Sequence, residues 1–277
     1  MKKLRLTLLL STFFCSVFAQ DLVTPQPSPT EEIKQNFGLS NIQLSYSRPS
    51  MKGRVIFGDL VPYGKVWRTG ANGATTITFA DDVTIGGTKI PAGKYGLLTI
   101  PDASEWTVIV TKQTDVTSPA AYKQDQDVVR VKVASQSLPF SIENFTMLFS
   151  NIKSNKCELQ MLWDNVYVAL PIETDIDTKI SAQIKSMMEN DNRPYYAAAM
   201  YYMETGKDLN QAVAWLEKAS QQNPTAFWIF YQKARALSMQ GKKADAIAAS
   251  NKSIELAKAA KNDDYVALNE KLQKSMK

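Results

Sequence analysis

The N-terminal half of the chain alternates apolar and polar residues with a period of two. IQLSYS at 42–47 and EWTVIVTK at 105–112 are the clearest examples, and such alternation is typical of half-buried β-strands. Further strands are predicted over residues 75–79, 83–85, 94–100, 127–133, 145–152, 157–163 and 166–172. Short strands at this spacing predict an all-β sandwich or open barrel over residues 36–173.

Two pairs of turn residues interrupt this pattern. Gly86-Gly87 follows one short strand and predicts a tight hairpin, because two glycines accept the positive φ angles that such turns need. Asp164-Asn165 separates the last two predicted strands. Since both residue types favour turns, we expect a second tight turn there.

Residues 174–277 have a helical composition instead, rich in Ala, Lys, Gln and Met. The segment repeats at an offset of 34 residues, so that Tyr196 aligns with Phe230 and Ala212 with Ala246. This pattern resembles the tetratricopeptide repeat, in which each unit is a helical hairpin. A plain helical bundle without a binding groove is the alternative. The predicted parts are a leading helix over 177–189, hairpin units over 193–226 and 227–260, and a closing helix over 263–276.

The first 19 residues have the features of a secretory signal peptide. Three basic residues within the first five precede an apolar run over 6–18, and Ala19 provides the small residue before the cut. The run is shorter than the roughly 20 residues that a spanning helix needs. We therefore expect cleavage, a periplasmic or secreted protein, and no stable membrane span afterwards. The proline-containing stretch over 20–35 is expected to be a linker.

Charge and residue usage exclude several functions. The chain has 32 basic and 27 acidic residues, and the leader takes three of the basic ones, which leaves 29 against 27 and a net charge of +2. Such a weak excess argues against nucleic acid as a partner. Histidine is absent, so neither a Ser-His-Asp nor a Cys-His centre is available. Cys157, the one cysteine after the leader, reads as a buried strand residue, and we expect no metal site and no cofactor.

The stretch over 47–72, SRPSMKGRVIFGDLVPYGKVWRTGAN, is the strongest candidate for a site. It is too irregular for a helix, and it places a guanidinium directly beside a tryptophan. That pair suits carboxylates, phosphates or sugar rings. Tyr95, at the start of a later strand, could face the same cleft. The candidate ligand-binding residues are Arg48, Arg54, Trp67, Arg68, Asn72 and Tyr95.

A structural role competes with binding at each of these positions. An arginine in a β domain often pairs with an acid and joins loops, and Trp67 would then belong to the core. The available acids are Asp59, Asp81, Asp82 and Glu105. Two of them, Asp59 and Asp82, are also the acid and base of an alternative function, a carboxylate-dependent hydrolase acting on envelope material.

The sequence resembles a bacterial family of unknown function. The residues that carry the resemblance are the stretch over 47–72 together with ATTITFADDVTIGGTKIPAGKYGLLTIP and EWTVIVTK. These segments are similar to domain-of-unknown-function family 2911, which covers about residues 36–173. The resemblance implies export, as in Bacteroidetes-type secreted or periplasmic proteins, and a mainly β domain with no established reaction.

This chain departs from the family pattern at two places. The family often has Glu where this sequence has Gly73, and often has a Trp-Gly pair where this sequence has Pro119-Ala120-Ala121 before Tyr122. Our leading hypothesis is a non-enzymatic, exported binding module of α+β multidomain architecture. Its partners would be a small molecule or glycan in the β domain and a protein at 193–260. The alternatives are the hydrolase and a structural envelope protein that acts through its helical tail.

Overall fold

The protein, described here from a computed structural model, divides along the chain into two compact units, with the boundary between Asp175 and Ile176. The structure describes residues 24–188 and 193–276. The predicted leader over 1–19 therefore lies outside the described residues. Within the described ranges, no helix is both long enough and apolar enough to cross a membrane.

Six strands of the first unit form one antiparallel sheet. In spatial order they are β1 (Thr30–Phe37), β2 (Ser40–Ser47), β3 (Thr76–Phe79), β6 (Gly93–Ile100), β7 (Glu105–Thr111) and β8 (Asp127–Ala134). Strand β1 was not predicted. It pairs along its whole length with β2, from Thr30 opposite Ser47 to Phe37 opposite Ser40. The expected linker over 20–35 is therefore wrong from Thr30 onward, because the alternating polar side chains of β1 belong to an edge strand.

The other four strands form a second antiparallel sheet. In spatial order they are β5 (Thr88–Ile90), β4 (Val83–Ile85), β10 (Lys156–Glu173) and β9 (Gln136–Ser150). The Gly86-Gly87 hairpin is confirmed, since the two glycines connect β4 to β5 with φ angles of 56° and 77°. Buried side chains of both sheets belong to one hydrophobic cluster, which includes Leu44, Leu97, Met161 and Leu170.

The tight turn predicted at Asp164-Asn165 is wrong. Strand β10 continues through both residues, and its pairing with β9 shifts register on either side of Asp164. Asp164 has a φ of 51°, and its Oδ1 accepts a hydrogen bond from the Ser141 hydroxyl. The turn-forming pair marks an irregularity of pairing instead of a chain reversal, because Asp is one of the few residue types that accepts a positive φ inside a strand.

Among the residues that the structure describes, the second unit has six helices. They are α1 (Asp177–Met188), α2 (Tyr195–Thr205), α3 (Leu209–Gln222), α4 (Phe227–Met239), α5 (Lys243–Ala259) and α6 (Asp263–Ser275). Each predicted unit contains one helical pair, α2 with α3 and α4 with α5. The α+β class and the helical tail are thus confirmed, while the sandwich or barrel detail and the tetratricopeptide character stay predictions. The end expected for α1, at residue 189, lies outside the described residues.

Small residues allow the close packing of these helices, and a capping side chain fixes the start of α3. Ala199 and Ala212 are fully buried where α2 packs on α3, and Ala234 and Ala246 are fully buried where α4 packs on α5. Such residues let two backbones approach closely. The Asp208 side chain accepts hydrogen bonds from the first backbone N–H groups of α3, which fixes the start of that helix.

Candidate functional site

The candidate stretch forms most of the long connection between β2 and β3. Isolated bridges attach this connection to both sheets, pairing Ser50 with Asn144 of β9 and Trp67 with Thr99 of β6. Gly70 is required at its position, because its φ is 152° and an added Cβ would lie 2.9 Å from the Ser47 carbonyl oxygen. The connection is therefore held in one shape by the sheets beneath it.

Trp67 is the centre of an aromatic cluster. Its ring lies edge-on to Phe57, Trp106 and Phe145, with centroid distances of 6.4, 6.2 and 4.9 Å. It stacks on Trp163 of β10 at 5.9 Å with an interplanar angle of 18°. Trp67 is nevertheless only partly buried, so its indole serves both the core and a surface opening.

Arg48 has the structural role considered above, because it pairs with an acid and joins separate segments. Its Nη1 lies 3.3 Å from Oε2 of Glu31, its Nε donates to the Phe145 carbonyl, and its Nη2 donates to the Thr146 hydroxyl. The Tyr46 hydroxyl also donates to Glu31. Burial, followed by this hydrogen bond, raises the pKa of Tyr46 well above its ordinary value. Arg48 thus joins β1 to β9.

Arg54 and Arg68 make fewer contacts. Arg54 donates from Nε to the Met51 carbonyl and from Nη2 to the Ser50 carbonyl, both in its own loop. Arg68 donates from Nη1 to the Thr117 carbonyl at 2.6 Å, while its Nε is shielded from solvent and has no acceptor among the described residues. Neither forms an ion pair within the described ranges.

Arg54 and Arg68 line a common surface opening. The opening, here called the Trp67 pocket, has a volume of about 530 Å³ and lies within the range typical of small-molecule sites. Its cations are Arg54, Lys65 and Arg68, and its aromatic residues are Trp67 and Trp163. The remaining lining residues are small or apolar: Ser28, Pro49, Leu60, Val61, Pro62, Val66, Gly70, Ala71 and Pro119.

The pocket brings together three of the six candidate residues, Arg54, Trp67 and Arg68. Arg48, Asn72 and Tyr95 do not line it. Asn72 donates its side-chain amide to the Ser28 carbonyl. The Tyr95 hydroxyl donates to the Pro91 carbonyl, and burial raises the pKa of this largely buried tyrosine.

Sequence reasoning missed Lys65, Trp163 and Pro119. Lys65 lies two residues before Trp67 in the candidate stretch, so the sequence alone could have indicated that it lines the same site. Trp163 comes from β10 and Pro119 from the connection between β7 and β8. No local pattern connects those two residues to the stretch, because only the packing of the fold brings them there.

A polar cluster holds the loop that carries Pro119. The Tyr122 hydroxyl and Arg130 Nη1 both donate to Oδ2 of Asp127. Burial, and then the hydrogen bond to Asp127, raise the pKa of Tyr122 to about 12. The Gln113 side chain bridges the same loop, donating to the Ala121 carbonyl and accepting from the Lys123 amide. The wall of the Trp67 pocket formed by Pro119 is therefore anchored to β8.

The two acids of the alternative function lie elsewhere. Asp59 is exposed on the long connection. Asp82 forms an ion pair with Lys89 at 3.0 Å and accepts a hydrogen bond from the Ala92 amide. Neither carboxylate lines the Trp67 pocket. Cys157 is buried, and burial raises its thiol pKa to about 12. Within residues 24–188 and 193–276, no cluster of His, Cys, Asp and Glu could hold a metal ion.

Fold and site together define a two-unit α+β protein whose antiparallel β unit carries a pocket built from loops. The chain belongs to the family described as Protein of unknown function (DUF2911), which matches residues 28–172. The match begins before β1, in agreement with the extra strand that the structure shows. Comparison with curated proteins and with solved structures found no match.

Proposed function

We propose that this protein is an exported, non-enzymatic binding module whose ligand site is the Trp67 pocket. The observation that carries the proposal is the joint presence of Trp67, Trp163 and three cations around one opening of about 530 Å³. The lining comes from several separate segments, and it is held by contacts such as Arg68 to Thr117. A preformed shape of this kind reduces the entropy lost on binding.

Thermal denaturation of the mature chain tests this proposal. A panel of glycans and organic acids is added to protein that begins at residue 20, and the melting temperature is compared with that of the Ala71→Phe variant. Ala71 lines the pocket and does not have a positive φ, so phenylalanine fills the space without removing a structural hydrogen bond. We expect a ligand to raise the melting temperature of the wild type and not that of Ala71→Phe.

Ala103→Phe is the matched control, because Ala103 is an exposed alanine in the turn between β6 and β7. It should respond to ligand as the wild type does. If the whole panel leaves the wild type unchanged, the proposal is wrong. A shift that persists in Ala71→Phe would place binding outside the Trp67 pocket. Arg68→Ala is a less direct test, since Arg68 also holds Thr117.

Export is the second part of the proposal and rests on the leader over 1–19. N-terminal sequencing of protein recovered from the periplasm or the medium should begin at Gln20. Recovery only from the cytoplasm, with Met1 still present, contradicts it.

Binding of a protein partner at 193–260 is a second candidate function. It is favoured by large apolar side chains that remain exposed there, with Trp228 at 40% and Ile247 at 39%. Crosslinking of the full chain in its own envelope fraction, compared with Trp228→Ala, tests this candidate. The carboxylate-dependent hydrolase gains no support from the Trp67 pocket, whose lining includes neither Asp59 nor Asp82.

A further inference from the structure

We infer that the ligand of the Trp67 pocket is a small anionic amphiphile, an apolar or aromatic body that carries a carboxylate or phosphate group. The inference rests on the proposed function, because it assumes that the pocket binds a ligand. It goes further by choosing between the two ligand classes that the sequence left open, anions and neutral glycans. The choice follows from the hydrogen-bond donors and acceptors that the lining side chains provide.

The charged side chains of the lining can only donate hydrogen bonds. Arg54, Lys65 and Arg68 together have about thirteen N–H groups, about five per guanidinium and three per ammonium, and no acceptor. Ser28 supplies the one side-chain hydroxyl of the pocket, and Asp, Glu, Asn and Gln do not occur among its lining residues. A ligand that matches this lining must therefore present acceptors.

Part of this donor capacity is still unused. The Lys65 side chain is exposed and has no hydrogen bond or ion pair among the described residues. Arg54 uses Nε and Nη2 for carbonyls of its own loop, which leaves Nη1. Arg68 uses Nη1 for Thr117, which leaves Nη2 and the shielded Nε. Three positive charges thus face one opening with no acid in its lining, and an anion compensates them directly.

Trp67, stacked on the buried Trp163, provides the aromatic part of the site. Trp67 Nε1 donates to the Gly70 carbonyl at 3.0 Å, and Trp163 Nε1 donates to the Glu143 carbonyl at 3.1 Å. Both indole N–H groups are therefore already satisfied within the protein. What Trp67 offers a ligand is the hydrocarbon surface of a partly buried ring, extended by prolines and valines of the lining, while Trp163, which is 2% exposed, supports it from below.

A neutral sugar is poorly matched to a lining whose side chains are mostly donors. Each of its hydroxyls donates as well as accepts, so its binding needs hydrogen-bond acceptors beside the aromatic surface, and polar side chains commonly supply them. Among the lining side chains only the Ser28 hydroxyl can accept. Burying sugar hydroxyls without acceptors costs free energy, whereas a carboxylate or phosphate has no donor to satisfy.

Four probes test the inference by isothermal titration calorimetry with the mature chain. Naphthoate and naphthyl phosphate carry the anion on an aromatic body, naphthamide is the uncharged counterpart of naphthoate, and cellobiose is the neutral sugar. We expect both anions to bind, and naphthoate to bind at least about tenfold more tightly than naphthamide. Binding of the anions should weaken as salt is added, because the cations are exposed in part.

Lys65→Gln is the informative variant, since this exposed side chain has no structural contact to lose within the described residues. It should weaken naphthoate binding several-fold and leave naphthamide unchanged. Lys153→Gln removes the same charge from an exposed lysine that does not line the pocket, and it should change neither affinity.

The two proposals fail in different ways. If naphthamide or cellobiose binds as tightly as naphthoate, and Ala71→Phe abolishes that binding, the pocket is a ligand site but the anionic amphiphile is wrong. Equal effects of Lys65→Gln and Lys153→Gln on naphthoate also overturn the inference. If none of the four probes binds to the wild type, both the inference and the proposed site are wrong.

Discussion

The indole rings of Trp67 and Trp163 stack with centroids 5.9 Å apart and an angle of 18° between their planes. One ring comes from the long connection after β2 and the other from β10, so the contact joins that connection to the second sheet. The same two rings line the Trp67 pocket. The aromatic cluster is therefore both part of the core and the support of the candidate site.

Trp163→Ala should lower the free energy of unfolding by about 3–5 kcal/mol, because a buried indole is replaced by a cavity. Trp163 is 2% exposed. The matched control is Phe140→Ala, which removes an aromatic ring that is 60% exposed on β9 and should cost less than about 1 kcal/mol. Urea unfolding followed by circular dichroism measures both values. Equal costs for the two variants would contradict a structural role for the tryptophan stack.

Arg48 and Glu31 should show a small but measurable coupling. Their side chains are about a third exposed, so a double-mutant cycle with Arg48→Gln and Glu31→Gln should give about 0.5–1 kcal/mol. Arg48→Gln alone should cost more, about 1–2 kcal/mol, because it also removes donors to Phe145 and Thr146. Arg54→Gln, whose contacts stay within one exposed loop, should cost less than Arg48→Gln. A larger cost for Arg54→Gln than for Arg48→Gln would show that Arg48 does not hold β1 and β9 together.

Tyr122 should make stability depend on alkaline pH. Its pKa is about 12 in the folded protein against about 10 for an ordinary tyrosine, so the folded state binds the phenolic proton more tightly. The resulting stabilisation is complete below about pH 10 and is lost as the pH rises through about 12. Tyr122→Phe should therefore reduce the fall in unfolding free energy across this window, as measured by urea unfolding at several pH values. An unchanged fall in Tyr122→Phe contradicts the raised pKa of Tyr122, whose causes are burial first and the hydrogen bond to Asp127 second.

Gly96 should not tolerate a side chain. A Cβ at this position would lie 2.0 Å from the Gln113 carbonyl oxygen, so Gly96→Ala must displace backbone where the Pro119 loop begins. We expect a cost of about 3 kcal/mol or more in urea unfolding. Gly73→Ala is the control, because a Cβ there meets no atom within 4 Å and its φ is not positive, and it should be close to neutral. A mild Gly96→Ala variant would show that the Pro119 loop is not packed against β6 in this way.

The local elements of the fold were largely predictable. Alternation over 42–47 and 105–112 predicted β2 and β7, and the helical pairs α2–α3 and α4–α5 fall within the predicted units. The failures have physical causes. Strand β1 is an edge strand with many polar residues, so its sequence resembles a linker. The Asp164-Asn165 pair is typical of turns but lies at a register shift inside β10.

The candidate site was predictable only in part. Arg54, Trp67 and Arg68 lie at one pocket as neighbours in the candidate stretch, but Arg48 is occupied by Glu31 and two carbonyl or hydroxyl oxygens. Composition cannot distinguish a guanidinium that is free from one that is paired. The distinction depends on which acid the fold places beside it.

The sequence by itself determined the family, the two-part division into strands and helices, and the stretch that carries the site, because periodicity and turn chemistry act between near neighbours. Only the tertiary structure decided which residues meet at the pocket. Trp163 lies where β10 shifts its register against β9, and a shift of one residue moves a side chain to the opposite face of a sheet. Its stack on Trp67 therefore depends on a long-range pairing that no local pattern encodes.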